Sequence, residues 1–581
     1  MPFDFDYVIV GSGFGGSVAA LRLAEKGYSV AVVEQGRRWT PDNLPKTNWQ
    51  LRRWLWMPAL GLRGFFGMRF FRHLVVLHGN AVGGGSITYA NTLLTPPDTV
   101  WSQGTWAGLL DWQQVLKPHY ATARRMLGVT QNPILSAADL RLQQMATAAG
   151  VGHTFYPTDV GVYFGNPNDP PGTTHPDPYF NGQGPERTTC TGCGGCMVGC
   201  RFNAKNTLDK NYLYLAEKQG TQILAETKVV DVRPLAPSDD GSDGYQVDTI
   251  SLAPNNRGQR RRILCRGVVI AASSLGTQDL LFRLKASGSL PRISDALGRG
   301  VRTNAESLIG IRFPNSTVDL SKGIAIGSGI YLDDHTHIEA TRYPNGSDAM
   351  SLLTALLTRT HPTNATQPGD AYEPTNASQP TDAYEPTNAT QPTSPRQPRW
   401  LACLAATLKL LFTKPRTALR ILSPGGFARE SMILLCMQTL EGTLTMKHKR
   451  TPWWPFTKQL VTEGAKVPTN IPSANAFAAN AAKSMGGIPL TSLTEILFNI
   501  PMTAHCIGGA VMATTPEEGV CNAQGQVFNY NNLYLCDGSV ISANLGVNPA
   551  LTITALTEHT MSQIPPAPDQ NQPIIPERPS P

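Results

Sequence analysis

Three glycines near the N-terminus are spaced as in loops that bind a dinucleotide. Gly11, Gly13 and Gly16 follow an apolar segment, and Glu34 ends the next apolar segment along the chain. This spacing predicts backbone N–H groups that meet a pyrophosphate at a helix start, and a carboxylate that accepts ribose hydroxyls. A glycine-rich turn without a ligand is the alternative, and the complete strand–helix–strand pattern argues against it. We therefore expect a dinucleotide site, and its N-terminal position favours FAD over NAD.

A second glycine loop follows at 78–86. Gly83, Gly84 and Gly85 stand in a row before Ser86, with apolar residues on both sides of the loop. Three glycines leave the backbone free of side chains, which suits packing against a flat ring or a diphosphate. A flexible turn is the alternative, although the apolar flanks favour an ordered segment. These four residues are predicted to bind the same cofactor.

Four cysteines within eleven residues form a third candidate site. Cys190, Cys193, Cys196 and Cys200 are spaced C-x2-C-x2-C-x3-C, the run that binds [4Fe–4S] clusters in bacterial ferredoxins. Two features weaken that interpretation, because no proline follows Cys200 and the fourth ferredoxin cysteine usually serves another cluster. Zinc is a second interpretation, although ligands on one short loop differ from two separate CxxC pairs. We favour a loop of buried thiols and leave the metal or cluster open.

The composition is that of a globular protein. The chain has 581 residues, of which 41% are hydrophobic and 16% charged, and its net charge is +7. Spread over this length, that charge does not point to a nucleic-acid partner. No N-terminal secretory pattern and no apolar stretch of membrane-spanning length are visible. We therefore expect a cytoplasmic protein whose thiols stay reduced.

The glycine loops need a strand before them and a helix after them. Apolar segments at 7–10 and 29–33 predict two strands, and the pattern at 17–26 predicts a helix between them. Segments at 222–225 and 228–232 predict two further strands. In open sheets of this kind, ligands bind at the carboxyl ends of the parallel strands.

Three blocks near the C-terminus complete a pattern that begins with the glycine loops. The chain reads TAHCIGG at 503–509, NLYLCDGS at 532–539 and GVNPALTI at 546–553. In this order and spacing, the chain resembles the glucose–methanol–choline (GMC) family of FAD oxidoreductases, and within it the cholesterol-oxidase branch. The resemblance spans most of the chain. It implies an α/β fold class, with a Rossmann-type FAD-binding domain of discontinuous segments and an antiparallel-sheet α+β substrate domain.

The resemblance also implies a reaction and its residues. A hydroxyl of a bulky, apolar, sterol-like alcohol would be oxidised to a carbonyl, with hydride transfer to the flavin. The active-site histidine of the family falls on His505, and its partner falls on Asn548, where many members have histidine. The glutamate proposed as a base in the sterol oxidases falls on Glu339, ahead of Pro344 and Gly346. The alternatives are a core histidine at 505 and a surface glutamate at 339.

Further cofactor contacts follow from the same resemblance. Val230, Asp537, Gly538 and Asn548 are expected to contact FAD. Members that attach FAD covalently carry a histidine soon after the second glycine loop, and none follows Ser86 here, so non-covalent FAD is predicted. The electron acceptor, O2 or another compound, stays open. If the cysteine loop held a cluster, the alternative would be a flavoprotein dehydrogenase that passes electrons through it.

The motifs suggest two interleaved domains, an insert and a tail. Residues 362–397 repeat a twelve-residue unit rich in Pro, Thr, Asn and Gln, which cannot form a core. The predicted segments are 1–50, 74–100, 200–310 and 500–565 for the FAD-binding domain, 101–199, 311–361 and 399–499 for the substrate domain, 362–398 for the insert and 566–581 for a flexible tail.

Two segments combine basic residues with large apolar ones. They lie at 51–73 and 399–422. Packing in the core is the interpretation we favour for each. A basic amphipathic helix could instead lie on a membrane surface, where a sterol-like substrate resides. Peripheral membrane contact is therefore kept as a hypothesis.

Overall fold

The computed structural model describes residues 2–358, 399–451, 454–464 and 467–568. The predicted insert at 362–398 and most of the predicted tail lie outside these residues. The described chain contains two large seven-stranded sheets and a smaller five-stranded sheet. Residues of all three sheets line the candidate site.

The strands are numbered here in chain order. They are β1 Phe5–Val10, β2 Val30–Val33, β3 Leu55–Met57, β4 Leu62–Arg63, β5 Phe66–Phe70, β6 Val75–Gly79, β7 Thr130–Gln131, β8 Tyr156–Pro157, β9 Asp159–Val160, β10 Thr174–His175, β11 Arg187–Thr188, β12 Gln222–Leu224, β13 Thr227–Pro234, β14 Tyr245–Ser251, β15 Arg260–Ile270, β16 Ser307–Arg312, β17 Ile326–Tyr331, β18 Thr336–Thr341, β19 Thr354–Leu356, β20 Ser431–Gln438, β21 Thr445–Thr451, β22 Trp454–Glu463, β23 Ile488–Ser492, β24 Met502–Thr503 and β25 Leu533–Leu535.

The α-helices are numbered in the same way. They are α1 Phe14–Glu25, α2 Leu51–Trp54, α3 Trp112–Met126, α4 Ala137–Ala148, α5 Tyr212–Lys218, α6 Ser273–Ser287, α7 Arg399–Thr413, α8 Pro415–Leu422, α9 Phe427–Glu430, α10 Pro472–Ser484, α11 Leu493–Phe498 and α12 Ala550–Ser562. Helix α1 begins three residues before the predicted start, because Gly13 takes the N-cap position and the helix follows at once.

The first large sheet has the order β12-β2-β1-β15-β14-β13. Strands β12, β2, β1 and β15 are parallel, whereas β14 and β13 continue the sheet as an antiparallel hairpin. Strand β14 pairs with the first half of β15, at residues 260–265. Strand β25 pairs in parallel with the end of β15, at residues 268–270. The carboxyl ends of β1, β2, β15 and β25 therefore meet at one edge, where open sheets bind ligands.

The second large sheet is antiparallel, with the order β19-β23-β16-β20-β18-β17-β8. One face packs on α4 and α10 through residues such as Ile309, Ile338 and Leu434. Because side chains alternate along a strand, their neighbours Leu308 and Leu435 point to the opposite face. That face lines the cavity described below. The predicted α/β class, with a Rossmann-type sheet and an antiparallel substrate sheet, is confirmed; the domain boundaries stay a prediction.

The two basic, apolar segments differ in burial. In the first, Trp54, Leu55, Phe65 and Phe66 are buried, so the core interpretation is confirmed there. In the second, α7 has no buried residue, and the core interpretation of that helix is wrong. Its large apolar side chains recur every fourth residue on one helical face and are 45% to 83% exposed: Trp400, Leu404, Leu408 and Phe412. Among the described residues, no helix is long and apolar enough to cross a bilayer.

Candidate active site

One cavity joins the carboxyl edge of the parallel sheet to the inner face of the antiparallel sheet. Its volume is about 620 Å³, within the usual range for a ligand site. The lining includes Gly11, Gly13 and Glu34 at one end and His505 and Asn548 at the other. The fold thus brings the predicted nucleotide loop and the predicted catalytic pair to the same space.

The first glycine loop leaves its backbone open to this cavity. Gly11 has φ +99°, which favours glycine, and a Cβ atom there would lie 2.4 Å from the Ala271 carbonyl oxygen. A Cβ atom on Gly13 would meet nothing within 4 Å, because that backbone faces the cavity. Gly16 does not line the cavity; its Cβ would lie 2.1 Å from the Gly11 carbonyl oxygen, so its role is close packing. The loop therefore has room for a pyrophosphate at the start of α1.

Glu34 lies at the end of β2 and is held by three hydrogen bonds. Its Oε2 accepts from the Ser12 backbone N–H at 3.0 Å and the Ser12 hydroxyl at 2.7 Å. Its Oε1 accepts from the Gly36 N–H at 2.7 Å. Burial raises the pKa of Glu34, and these donors oppose that rise. Each carboxylate oxygen can accept more than one bond, so Glu34 can also receive ribose hydroxyls.

The second glycine loop packs against the first. A Cβ on Gly84, where φ is +52°, would lie 2.5 Å from the Cα of Gly13. Gly84 and Gly85 line the cavity, whereas Gly83 and Ser86 do not. The Ser86 hydroxyl donates to the Gly83 carbonyl at 2.6 Å and accepts from the Leu208 N–H at 3.0 Å. Ser86 thus fixes the shape of the loop from behind.

The remaining predicted cofactor residues are divided between the cavity and its surroundings. Asp537 and Gly538, directly after β25, line it, and Asp537 accepts from Thr277 at 2.5 Å and from the Ser539 N–H at 2.8 Å. On β13 the lining residues are Thr227, Lys228 and Val229, whereas the predicted contact, Val230, is not part of the lining. The pairing of β13 with β14 shifts register between Val229 and Asp231, so Val230 lies at an irregular position of the strand.

His505 follows β24 and is paired with a carboxylate that the sequence did not reveal. Its Nδ1 lies 3.2 Å from Oε2 of Glu306, which also accepts from the Thr503 hydroxyl at 2.7 Å and the Ala504 N–H at 3.0 Å. Burial alone would lower the pKa of His505, but the charge and contact of Glu306 outweigh burial and raise it. With Nδ1 facing Glu306, Nε2 is the nitrogen left for a substrate.

Glu339 is fully buried, so the alternative of a surface glutamate is wrong. It shares the inner face of β18 with Thr341, which lines the cavity. Glu339 itself is not part of the lining; it lies behind Asn548, whose Nδ2 donates to Oε2 at 3.2 Å. Its Oε1 has no hydrogen-bond partner among the described residues. Burial raises the pKa of Glu339 to about 7.

One part of the cavity wall is apolar. Aromatic, thioether and branched side chains from the five-stranded sheet, the antiparallel sheet and the segment after β18 share this wall: Trp56, Phe66, Met68, Leu308, Tyr343, Met350, Ile433 and Leu435. Such a wall excludes water and favours a substrate with little polar surface.

Comparison with known proteins identifies the family. Residues 467–557 match the family described as GMC oxidoreductase, and residues 9–41 match an NAD(P)-binding Rossmann-like domain. A cholesterol oxidase of Acinetobacter baumannii is 54% identical over 97% of this chain and 95% of its own length. One of Mycobacterium tuberculosis (strain ATCC 25618 / H37Rv) is 42% identical over 97% of this chain and 91% of its own. The chain belongs to the GMC oxidoreductase family.

A solved structure shares the fold of this GMC oxidoreductase. Pyridoxine 4-oxidase from Mesorbium loti matches with a TM-score of 0.58 at 14% identity, over 96% of this chain and 98% of that chain. The predicted enzyme class, an FAD-dependent oxidoreductase acting on CH–OH groups, is confirmed by family, relatives and fold together. None of these proteins is named as an iron–sulfur protein, so the dehydrogenase alternative gains no support from them.

Family membership implies FAD, and this GMC oxidoreductase has the features that such a cofactor needs. The open backbone at Gly13 and the carboxylate of Glu34 suit the pyrophosphate and the ribose. Gly84 and Gly85 leave flat backbone beside the same space. The residues present therefore fit FAD.

Proposed function

We propose that this enzyme oxidises the hydroxyl group of a sterol to a carbonyl, with FAD bound non-covalently. The observation that carries the proposal is the single cavity, which links the nucleotide loops, the pair His505 and Asn548, and an apolar wall. The high identity to two proteins named cholesterol oxidase supports a sterol over other apolar alcohols.

The chain's own residues would position the hydroxyl and manage its proton. When bound, FAD supplies the group that accepts a hydride. Nε2 of His505 and the amide of Asn548 would hold the substrate oxygen, because both line the cavity and neither carries a fixed negative charge. Glu306 would fix the orientation of the imidazole. Glu339, with one oxygen bonded to Asn548 and the other without a partner in the described chain, would take up the proton by way of His505, on which its charge acts.

Anaerobic reduction of the bound flavin tests the reaction and the substrate class together. Bleaching of the flavin absorbance would be followed after mixing with a sterol, a long-chain aliphatic alcohol and a sugar of matched concentration. We expect fast bleaching with the sterol alone. Faster bleaching by the aliphatic alcohol or the sugar would contradict the proposed substrate.

Two variants test the catalytic pair. His505→Ala and Asn548→Ala should each lower the rate of flavin reduction by roughly 10² to 10⁴, the range typical of lost proton-transfer groups. FAD content, read from the absorbance of the purified protein, should not change. Unchanged rates in both variants would remove these residues from the mechanism.

We propose O2 as the electron acceptor, because the two relatives of high identity are named oxidases. An oxygen electrode would show one O2 consumed for each alcohol oxidised, with hydrogen peroxide as the product. Reoxidation of the reduced flavin by a quinone or dye, but not by air, would show a dehydrogenase instead.

We also propose that α7 and α8 contact a membrane surface. The exposed apolar stripe on α7, with Phe412 at 83% exposure, lies on helices that also carry Lys409, Lys414 and Arg416. Ile421 of α8 packs against the core cluster that contains Phe66 and Met350 of the cavity wall. A sterol leaving the membrane would therefore enter close to the cavity.

Co-sedimentation with vesicles tests this contact. Vesicles of phosphatidylcholine with phosphatidylglycerol should pellet the protein at low salt, and Leu404→Glu should weaken binding several-fold. The matched control is Leu440→Glu, which changes an exposed leucine outside these helices. Equal binding by both variants, or no binding by the unmodified protein, would rule the contact out.

A further inference from the structure

The cysteine loop brings all four thiols to one small cavity. Cys190, Cys193, Cys196 and Cys200 line it together, although the fourth cysteine of the ferredoxin run usually turns to another cluster. The cavity is small, because the volume open to the centre of a water molecule is about 20 Å³. When the radius of that water molecule is added, the empty space is roughly 6 Å across. Met197, from the same loop, lines the neighbouring cofactor cavity.

The backbone of the loop is wrapped toward the sulfur atoms. Gly192 and Gly199 have φ of +63° and +85°, which let the chain turn sharply between the cysteines. The Gly192 N–H donates to Sγ of Cys190, and the Lys205 N–H donates to Sγ of Cys200, each at 3.4 Å. Hydrogen bonds to sulfur are a regular part of the surroundings of iron–sulfur clusters.

Two buried cations stand beside these thiols, and the carboxylate of Asp209 acts on both by its charge without forming an ion pair with either. Arg187 and Lys205 are each 1% exposed, and neither forms an ion pair with an acid of the described residues. They donate only to neutral oxygens, Lys205 to the carbonyls of Ile87, Tyr89 and Cys196. A buried charge without a close counter-charge destabilises the folded protein. An anionic centre among the thiols would supply that counter-charge.

Two kinds of metal centre are bound by four thiolates, and they need different spacings. In the described chain, no three His, Cys, Asp or Glu side chains are placed to hold one metal ion. Four thiolates around a single zinc would sit roughly 3.8 Å apart, given the usual Zn–S distance. In a [4Fe–4S] cluster each thiolate binds its own iron, so the sulfur atoms stand farther apart around a larger void. A cluster bound by four thiolates is also an anion, which would favour the nearby cations Arg187 and Lys205.

We propose that the loop from Cys190 to Cys200 binds a [4Fe–4S] cluster next to the flavin site. This site is separate from the alcohol-binding cavity, and the proposal does not depend on the substrate. Iron, acid-labile sulfide and zinc would be measured in the full-length holoenzyme, purified without air and reconstituted with ferrous iron and sulfide. We expect about four iron and four sulfide per chain, and an electron paramagnetic resonance signal after dithionite reduction.

Single cysteine variants identify the ligands. Cys193→Ser and Cys190→Ser should each lose more than half of the iron, whereas the matched control Cys403→Ser, on α7, should keep all of it. Less than one iron per chain in the reconstituted unmodified protein would overturn the proposal, whether or not the variants fold. One zinc per chain with no sulfide would overturn it as well. Flavin bleaching by alcohol is read separately, so failure of the cluster leaves the proposed function untouched.

Discussion

Glu306 and Glu339 are both buried, yet their partners differ, and so do the parts they can play. Glu306 accepts from Thr503 and Ala504 and faces Nδ1 of His505. Glu339 has one hydrogen bond, from Asn548, and an oxygen with no partner in the described chain. One carboxylate is thus suited to hold an imidazole in place, and the other to bind a proton.

The pKa of Glu339 predicts a pH dependence. Burial favours the neutral carboxyl and raises the pKa to about 7, so the form able to accept a proton grows as the pH rises through this value. We expect kcat/KM to rise through about pH 7 in the unmodified enzyme. In Glu339→Gln that rise should vanish and the rate should fall roughly 10² or more. A rise that persists in the variant would assign the titration to another group.

Glu306→Gln tests the positioning of His505. The amide keeps the size of the side chain but loses its negative charge, so the pKa of His505 should drop and the imidazole should lose its fixed orientation. We expect kcat to fall roughly 10-fold to 100-fold, with a smaller change in KM. The control Glu441→Gln, which alters the half-exposed partner of Arg302, should leave kcat unchanged. A change confined to KM would mean that Glu306 acts on binding instead.

At the scale of elements, the glycine loops show what a sequence can reveal. Gly11, Gly13 and Glu34 lie within one strand–helix–strand unit, so their relation is local and readable from spacing. The contact of Glu306 with the His505 segment is different. Glu306 accepts a hydrogen bond from Ala504, which lies 198 residues further along the chain and next to a different sheet. No local pattern contains that contact. The core interpretation of α7 fails for a similar reason, because an apolar stripe in a sequence does not reveal whether another part of the protein covers it.

The contact between the two glycine loops gives a prediction at this scale. Gly84→Ala would place a Cβ 2.5 Å from the Cα of Gly13 and would strain a backbone with φ +52°. The loops must then separate, and the cofactor contacts of both change. We expect the purified variant to retain well under half of its FAD. Gly425→Ala is the control, since a Cβ there meets only the Ser423 hydroxyl, at 3.7 Å. Full FAD content in Gly84→Ala would contradict this account.

At the scale of the whole molecule, a buried ion pair anchors the antiparallel sheet to its helices. Arg342, just after β18, lies 2.6 Å from Asp139 of α4, and the side chains are 0% and 1% exposed. Burial tends to raise the pKa of Asp139, but the charge and hydrogen bonds of Arg342, together with the hydrogen bonds from Ser136, outweigh burial and lower the pKa below its usual value. The stability from this pair is therefore present above about pH 4 and lost as the pH falls through the lowered pKa.

Asp139→Asn should reveal the strength of this anchor. Removing one partner leaves Arg342 charged and unpaired in the interior, which costs roughly 3–5 kcal/mol of unfolding free energy. Urea unfolding, followed by tryptophan fluorescence, would measure the change. Asp319→Asn removes a half-exposed partner of Arg429 and should cost under about 1 kcal/mol. Equal midpoints for the two variants would show that the buried pair is not an anchor.

The pairing of β25 with β15 determines when the FAD site can form during synthesis on the ribosome. The parallel sheet begins with β1, but β25, Asp537 and Asn548 are synthesised hundreds of residues later, and α12 then packs on α1. Nε of Arg22 in α1 lies 2.7 Å from Oε2 of Glu558 in α12. This ion pair links the first and the last of the described helices. Until the segment from β25 to α12 has left the ribosome, the nascent chain has the two glycine loops of the cofactor site but lacks Asp537 and Asn548. FAD capture should therefore follow translation, and a stalled chain should remain colourless.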